Sequence, residues 1–546
     1  MGSKLLMSLD LGSSGGRALL YDTRGGEMTL TTRVWQFTPA PDAGQYAYDL
    51  GCAERWQVLC QLAREVLAKA NAHPEDVAGI SVTSMRHGMV VLDKDSQVLA
   101  ATPNKDARAI SESMELQGEH GDEIYQVSGH VPSPVLLAPR LVWMKNNRPD
   151  QLERAAHVLT VSDWMAFMLS GIAASEPTQA GETCLYDLAK DDWAWSMIDK
   201  LGLPKEIFPR LHQPGERLGD LTPAAAEALG LPAGIPVAVG GADTQLGLVG
   251  LGITTAGELG IIAGSTTPVM ATTDTPKMDT KKRTWAGRHA FPGVFVVESN
   301  AGGMGTTLEW IASILYADSP EPVAALAGDA ARSIPGAMGV ISTMGSQLFN
   351  ASALGLPVDG LTFSSMTVPP GPGGRSHLAR AVLEGMAFGA KANADQALEV
   401  AELTPSRVHA GGGMTRSQLL LQMMADTFNL PVVGGYGQRT TPFGAVLCAA
   451  SGAGMYPSLQ DAARGMVKDL PVTQPSQQAD ATGESYRVWR GHLAQRAEAD
   501  AIATDSIMSA MQHAMEGAPS AADGLFRPRM YVSANAGDEA IQMLKQ

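Results

Sequence analysis

The sequence predicts an α/β protein with mixed sheets, built in two halves, and three observations carry that expectation. The opening residues read as hairpin strands separated by glycine-rich turns. Helix and strand then alternate. Past residue 235 the same order of apolar strand, acidic turn and hairpin begins again.

Leu5–Leu9 is an apolar strand, Asp10-Leu-Gly-Ser-Ser-Gly-Gly16 is its turn, and Arg17–Asp22 alternates into a second strand. Arg24-Gly25-Gly26 marks another turn before a third strand over Met28–Phe37. Glu54–Ala72 is an amphipathic helix, with Trp56, Leu59, Ala63, Val66 and Ala70 on one face. Val77–Thr83 returns as a buried strand. In the second half the strand Ile235–Gly240 runs into Gly241-Ala242-Asp243-Thr244-Gln245, and Glu258–Ala263 pairs with Pro268–Thr272 around Gly264-Ser265-Thr266. A strand over Val294–Glu298 and helices over Gly305–Tyr316 and Ser376–Glu399 follow. Strands at Arg407–Ala410 and Pro431–Gly434 then alternate with helices at Thr415–Asn429 and Pro442–Ser451. The spacing places one domain over residues 1–254, a second over 255–475, and a polar helical tail over 476–546.

Composition limits the function. The 546 residues allow two large cores, and 45% hydrophobic with 18% charged residues excludes wholesale disorder. Lys+Arg 40 against Asp+Glu 56 leaves −16, which disfavours nucleic-acid phosphates and anionic membranes as partners. Ser333–Val358 and Thr440–Gln460 lack charge but are broken by Pro, Gly and polar residues, so neither reads as a membrane span. Cys52, Cys60, Cys184 and Cys448 show no metal-ligand spacing and fit a reducing cytoplasm, and the apolar run Leu5–Met7 is too short for a signal peptide.

Five segments could carry chemistry. Asp10, at a strand end, can hold a hydrated Mg²⁺, while Gly12, Ser13 and Ser14 offer donors to phosphate; an Asx turn closing a hairpin explains the same residues. Asp243 follows a buried strand on a glycine bend and can take a hydroxyl proton as general base, or simply cap the helix after it. Arg86, His87 and Gly88 lie just past a strand's carboxyl end, where α/β sheets bind ligands, although an exposed basic loop is an equal reading. Asn104-Lys-Asp-Ala-Arg108 close behind reads as surface salt bridging. Gly264-Ser265-Thr266 can cradle terminal phosphates or be a plain turn, and Gly411-Gly412-Gly413 at a strand–helix junction lets a nucleotide lie flat on the backbone. Walker-type and full dinucleotide fingerprints are absent.

The order of these motifs, from about Leu6 to Gly454, resembles the FGGY carbohydrate kinases of the actin-like ATPase superfamily. Val161-Ser-Asp-Trp-Met-Ala-Phe-Met-Leu-Ser-Gly171, Arg380-Ala-Val-Leu-Glu-Gly-Met-Ala-Phe388 and Gln422-Met-Met-Ala-Asp426 support the resemblance. It implies two actin-like (ribonuclease-H-like) domains with Mg-ATP in the cleft between them and transfer of the γ-phosphoryl group to a sugar or polyol hydroxyl. By motif position it implies Asp243 as base, Asp10 with Asp243 at the metal, and Arg86, His87, Gly88, Thr244 and Gln245 at the substrate. Gly12, Ser13, Ser14, Arg17, Gly264, Ser265, Thr266, Gly412, Gly413 and Ser417 fall to ATP. A homodimer is compatible with it. Local motifs are most similar to autoinducer-2 kinases, with departures: Met85 stands where many pentulose kinases carry Gln, and Gly345-Ser-Gln-Leu-Phe349 replaces a Gly-Glu-Arg segment. An always-charged Arg86 fork is expected to favour ligands with paired oxygens, such as a ketose or its hydrate of about five carbons. Intact Asp10 and Asp243 argue against a catalytically silent sensor, and the Met-Arg-His-Gly loop against an ATPase acting on protein partners.

Overall fold

A computed structural model describes residues 4–496 apart from 45, 354–362, 365–371 and 469. The first half is built on a six-stranded sheet. Its hairpin strands β1 (Leu5–Leu11), β2 (Gly15–Asp22) and β3 (Met28–Val34) are antiparallel. Helix α1 (Cys52–Lys69) then crosses to β4 (Val77–Ser84), which runs parallel to β1. Helix α2 (Val161–Ser170), the edge strand β5 (Arg217–Asp220) and the parallel strand β6 (Pro236–Ala242) complete the unit, in the order β5-β6-β4-β1-β2-β3. α1 forms because its apolar positions recur on one face: Leu59, Leu62, Ala63, Val66 and Leu67 are all buried against the sheet. Its last turn gives way at Asn71, whose φ of 49° lies in the left-handed region.

Helix α3 (Asp243–Gly250) carries the chain out of β6 into the second sheet. There β7 (Leu259–Ile262), β8 (Pro268–Thr273), β9 (Trp285–Arg288) and β10 (Phe295–Asn300) are antiparallel neighbours. After helices α4 (Met304–Leu315) and α5 (Pro372–Ala401), the strand β11 (Val408–Gly411) lies parallel to β7. Helix α6 (Gln418–Phe428), the parallel strand β12 (Val432–Gly434), helix α7 (Thr440–Gly452) and the edge strand β13 (Val472–Thr473) follow. The sheet order is β9-β10-β8-β7-β11-β12-β13. The run β3-β2-β1-β4-β6 therefore has its counterpart in β10-β8-β7-β11-β12, three antiparallel strands followed by two parallel ones. The repeat glimpsed in the sequence is a repeat of topology.

The uncharged segment after Thr440 packs the two halves together. α7 lies in the second half of the chain, yet it packs on α3 and on β6, β4 and β1 of the first sheet. Leu6, Leu19 and Tyr21 share a core with Leu246, Val249, Phe443 and Val446. A helix buried all round needs an apolar sequence all round, which explains its missing charges. Among the described residues no helix is long and apolar enough to cross a membrane. The four cysteines are buried free thiols, and burial pushes Cys52 up to about 12 and Cys60 up to about 11.

The start of the expected tail is a helix over 479–496, docked on α5; its continuation, 497–546, lies outside the described residues. Trp489 is 1% exposed, stacks on Tyr486, sits against Phe388 and donates Nε1–H to the Ser342 carbonyl. Truncating a buried Trp costs about 3–5 kcal/mol, more than one docked helix can spare. Trp489→Ala should therefore release this helix, read as new protease cleavage within 479–496. Unchanged resistance would contradict the anchoring role.

Candidate active site

Parallel strands end on one edge, and register decides what stands there. Asp10 pairs with Thr83, and Thr83 with Gly241, so β1, β4 and β6 finish side by side. Asp10, the Arg86–His87 loop and Asp243 thereby meet at the carboxyl edge of the first sheet, where open α/β sheets bind ligands. Asp243 is the first residue of α3; the cap position belongs to Ala242. Its carbonyl accepts from Thr441 on α7, and the Ala242 N–H donates to Thr178 Oγ1. Thr178 in turn donates to Glu176, a buried carboxyl that desolvation and the neighbouring Asp163 push up to about 8.

Asp243 is half-buried. Burial raises its carboxyl, Arg86 opposes, Asp10 adds to the rise, and the result is about 7. That is the range in which a general base works at neutral pH. Asp10 is 1% exposed, and burial raises it despite Arg17, which donates Nη1–H to Oδ2 at 2.6 Å. Its other oxygen, Oδ1, is buried with no hydrogen-bond partner. Among the described residues no cluster of three or more His, Cys, Asp or Glu forms a metal cage. One carboxylate with an uncommitted oxygen suits Mg²⁺, which keeps most of its waters and is otherwise held by phosphates. The turn after Asp10 is closed by Gly12 N–H to the Gly15 carbonyl, and Asn104 Nδ2–H donates to Ser13 Oγ.

Arg86 is not an exposed basic residue, and its fork does not wait for a ligand. Nη1 and Nη2 donate to the two oxygens of Glu298 at 2.6 and 2.8 Å, and Nη1 also to Glu182 at 3.0 Å. Glu182 also accepts from Gln245 Nε2 at 3.1 Å and faces Nε2 of His87 and of His130 at 3.1 and 3.2 Å. Burial works against ionising Glu182, but Arg86 and the imidazoles outweigh it and hold the carboxyl well below its usual range. Burial lowers His87 to about 4 despite Glu182, so its ring is neutral and Nε2 carries the proton towards the carboxylate. His87 has φ of 65°, and its carbonyl accepts from the fully buried Arg140. Trp285 stacks on His130 with centroids 5.0 Å apart and meets Phe349 edge-on at 4.9 Å. In the segment reading as surface salt bridging, the other four residues are half-buried but Asp106 is fully buried, pairs with Arg108, and accepts from the Tyr48 N–H.

The second sheet brings two glycine turns together. Ala263 N–H donates to the Gly411 carbonyl, and Met414 N–H to the Ala263 carbonyl, so Gly264-Ser265-Thr266 and Gly412-Gly413 are adjacent. Gly412 has φ of 98°, and a Cβ there would stand 2.4 Å from the Ala263 carbonyl oxygen, which only glycine tolerates. Ser417 caps α6, accepting from Leu420 N–H.

The fold is shared with other proteins. Residues 5–250 match the N-terminal domain and residues 259–453 the C-terminal domain of the FGGY family of carbohydrate kinases. The chain belongs to that family. It is a carbohydrate kinase, with the family's two-domain α/β fold. An autoinducer-2 kinase of Salmonella paratyphi A is 31% identical over 522 residues, 92% of this chain and 97% of the relative. One from Escherichia coli K12 is 30% identical over 477 residues, 85% and 89%. A xylulose kinase structure from Lactobacillus acidophilus superposes with TM-score 0.78 at 19% identity, covering 92% of this chain and 100% of the other. A Plasmodium falciparum glycerol kinase with ADP does so with 0.77 at 17%, covering 90% and 98%.

Sequence reasoning missed Glu182, Glu298, His130 and Trp285. Glu298 had a signal: a carboxylate inside the apolar strand Phe-Val-Val-Glu-Ser has to be paired or functional. Glu182 had none, because the run Glu176-Pro-Thr-Gln-Ala-Gly-Glu182 matches no pattern with a mechanism.

Proposed function

We propose that this kinase transfers the γ-phosphoryl group of ATP to a hydroxyl of a small ketose or polyol, of autoinducer-2 or pentulose (xylulose) type, with Asp243 as general base. The observation carrying this reading is the half-buried Asp243 carboxyl, raised to about 7, beside Arg86 at the sheet edge it shares with Asp10. Asp243 accepts the hydroxyl proton as the oxygen attacks phosphorus, and Arg86 stabilises the carboxylate until then. Gly12, Ser13, Ser14 and Arg17 face the phosphates from the first half; Gly264, Ser265, Thr266, Gly412, Gly413 and Ser417 hold the nucleotide from the second. Asp10, with Asp243 nearby, would hold Mg²⁺, whose charge would offset that of the phosphates. Arg86, His87, Gly88, Thr244 and Gln245 surround the acceptor. The two domains, 1–254 and 255–475, close over it and exclude water. The buried thiols fit a cytoplasmic enzyme, which we take to act on small molecules rather than nucleic acid or membrane, alone or as a homodimer.

The test is ADP release in a coupled assay across ketoses, polyols and the autoinducer-2 precursor. At least one acceptor should stimulate turnover well above the acceptor-free rate. Ligand binding with no stimulation by any acceptor would mark a sensor instead. Hydrogen exchange with both substrates bound should show joint protection at 12–16, 264–267 and 411–414; protection confined to one half would contradict closure.

A further inference from the structure

The chemistry around Arg86 says more about the acceptor than the loop sequence does. Glu298 reaches from β10 of the second half to the sugar loop of the first and takes both arms of the guanidinium fork. The edge a substrate carboxylate would use for bidentate recognition is thereby occupied by the protein's own carboxylate. Glu182, behind it, is 3% exposed and Glu298 is 2% exposed, so bulk water screens neither. Arg86 contributes one positive charge against Glu182, Glu298 and Asp243, and His87 is neutral. Each Glu298 oxygen accepts one hydrogen bond from Arg86 and keeps a second lone pair, which suits hydroxyl donors. Trp285, paired with Glu298 in the sheet, and Phe349 add an aromatic wall of the kind that stacks on a sugar's C–H face.

We propose that Glu298 is a specificity-determining residue: with Glu182 it neutralises Arg86 and makes the acceptor pocket select uncharged polyhydroxylated substrates and reject those carrying a carboxylate. The choice is a real one on this fold, since a gluconate kinase and a xylulose kinase from Lactobacillus acidophilus superpose on the chain with TM-scores of 0.76 and 0.78. The inference rests on the kinase reading and corrects the expectation drawn from the loop alone. Arg86 does present a rigid fork, but the paired oxygens it holds belong to Glu298.

The test uses one five-carbon skeleton in two charge states, the neutral xylulose and xylitol and the anionic xylonate, each with saturating Mg-ATP. Wild-type kcat/KM for xylonate should lie at least 100-fold below that for the better neutral acceptor. Glu298→Gln should narrow that gap at least tenfold and raise KM for the neutral acceptor while leaving KM for ATP unchanged. Glu298→Asp, which keeps the charge, should keep the exclusion. Should Glu298→Gln fail to fold, calorimetric titration of the wild-type protein with xylonate and with xylitol decides the matter: xylonate binding within threefold of xylitol overturns the proposal. So does an unchanged discrimination ratio in a folded Glu298→Gln protein. If neutral acceptors drive turnover and xylonate does so equally, the selectivity proposal falls and the kinase reading stands; if no acceptor in the wider panel drives turnover, both fall.

Discussion

Asp243→Asn is expected to lower kcat by about 10²–10⁴ while leaving nucleotide affinity within about twofold, because loss of a positioned base removes that much rate and little binding. Asparagine keeps the size and the α3 start but cannot accept the proton. The same substitution should stabilise the free protein at alkaline pH. A carboxyl raised from 3.8 to about 7 ionises more readily unfolded than folded, so its ionisation destabilises the native state. The penalty is absent below pH 4, grows as pH rises to 7, and is complete above it. Three units correspond to roughly 4 kcal/mol, and residual water at the half-buried carboxyl trims that to about 2 kcal/mol. Thermal melts should show Asp243→Asn more stable than wild type at pH 8 and equal to it at pH 4. Retention of more than half the activity, or equal melts at both pH values, would contradict the assignment.

Gly444→Ala should be severely destabilising despite adding one methyl group. α7 and α3 cross backbone to backbone: a Cβ at Gly444 would stand 1.9 Å from the Leu246 carbonyl oxygen, and one at Gly250 would stand 2.2 Å from that of Thr440. A backbone carbonyl cannot rotate away as a side chain can, so the helices must separate and with them the seam between the halves. Overpacking commonly costs about 1–3 kcal/mol, and this contact belongs at or above the top of that range. Gly118→Ala is the control. Gly118 is exposed on the helix Ile110–Ser128 with nothing near its missing Cβ, so alanine should stabilise by about 0.5–1 kcal/mol. Urea unfolding of the two variants should give shifts of opposite sign; a Gly444→Ala loss under about 1 kcal/mol would mean the helices do not touch as described.

Much of the frame was legible because it is written locally. Alternating and apolar runs marked the strands, the spacing of Leu59, Ala63 and Val66 marked α1, and glycine-rich bends marked both sets of turns. Boundaries moved where the partner strand set them: β3 stops at Val34, which pairs with Gly15, the first residue of β2. The pairings of charge were not legible. Arg86 meets Glu182 at a separation of 96 residues and Glu298 at 212, and no periodicity links positions so distant. The same blindness made Asp106 look like a surface residue when it is the buried partner of Arg108. Burial cannot be read from a polar pentapeptide, because it depends on what the rest of the chain places over it. The role of α7 was hidden likewise: its apolar sequence announced a buried helix but not which sheet would bury it.

The central claim is that Asp243 takes the acceptor's proton. It is tested most directly by the pH dependence of kcat/KM for the best acceptor, in wild type and in Asp243→Asn. Wild-type activity should rise tenfold per pH unit on the acid side and level off near pH 7, where the carboxyl ionises. The residual activity of Asp243→Asn should show no such limb. An acid limb near pH 7 that survives in Asp243→Asn would place the essential base elsewhere and contradict the account.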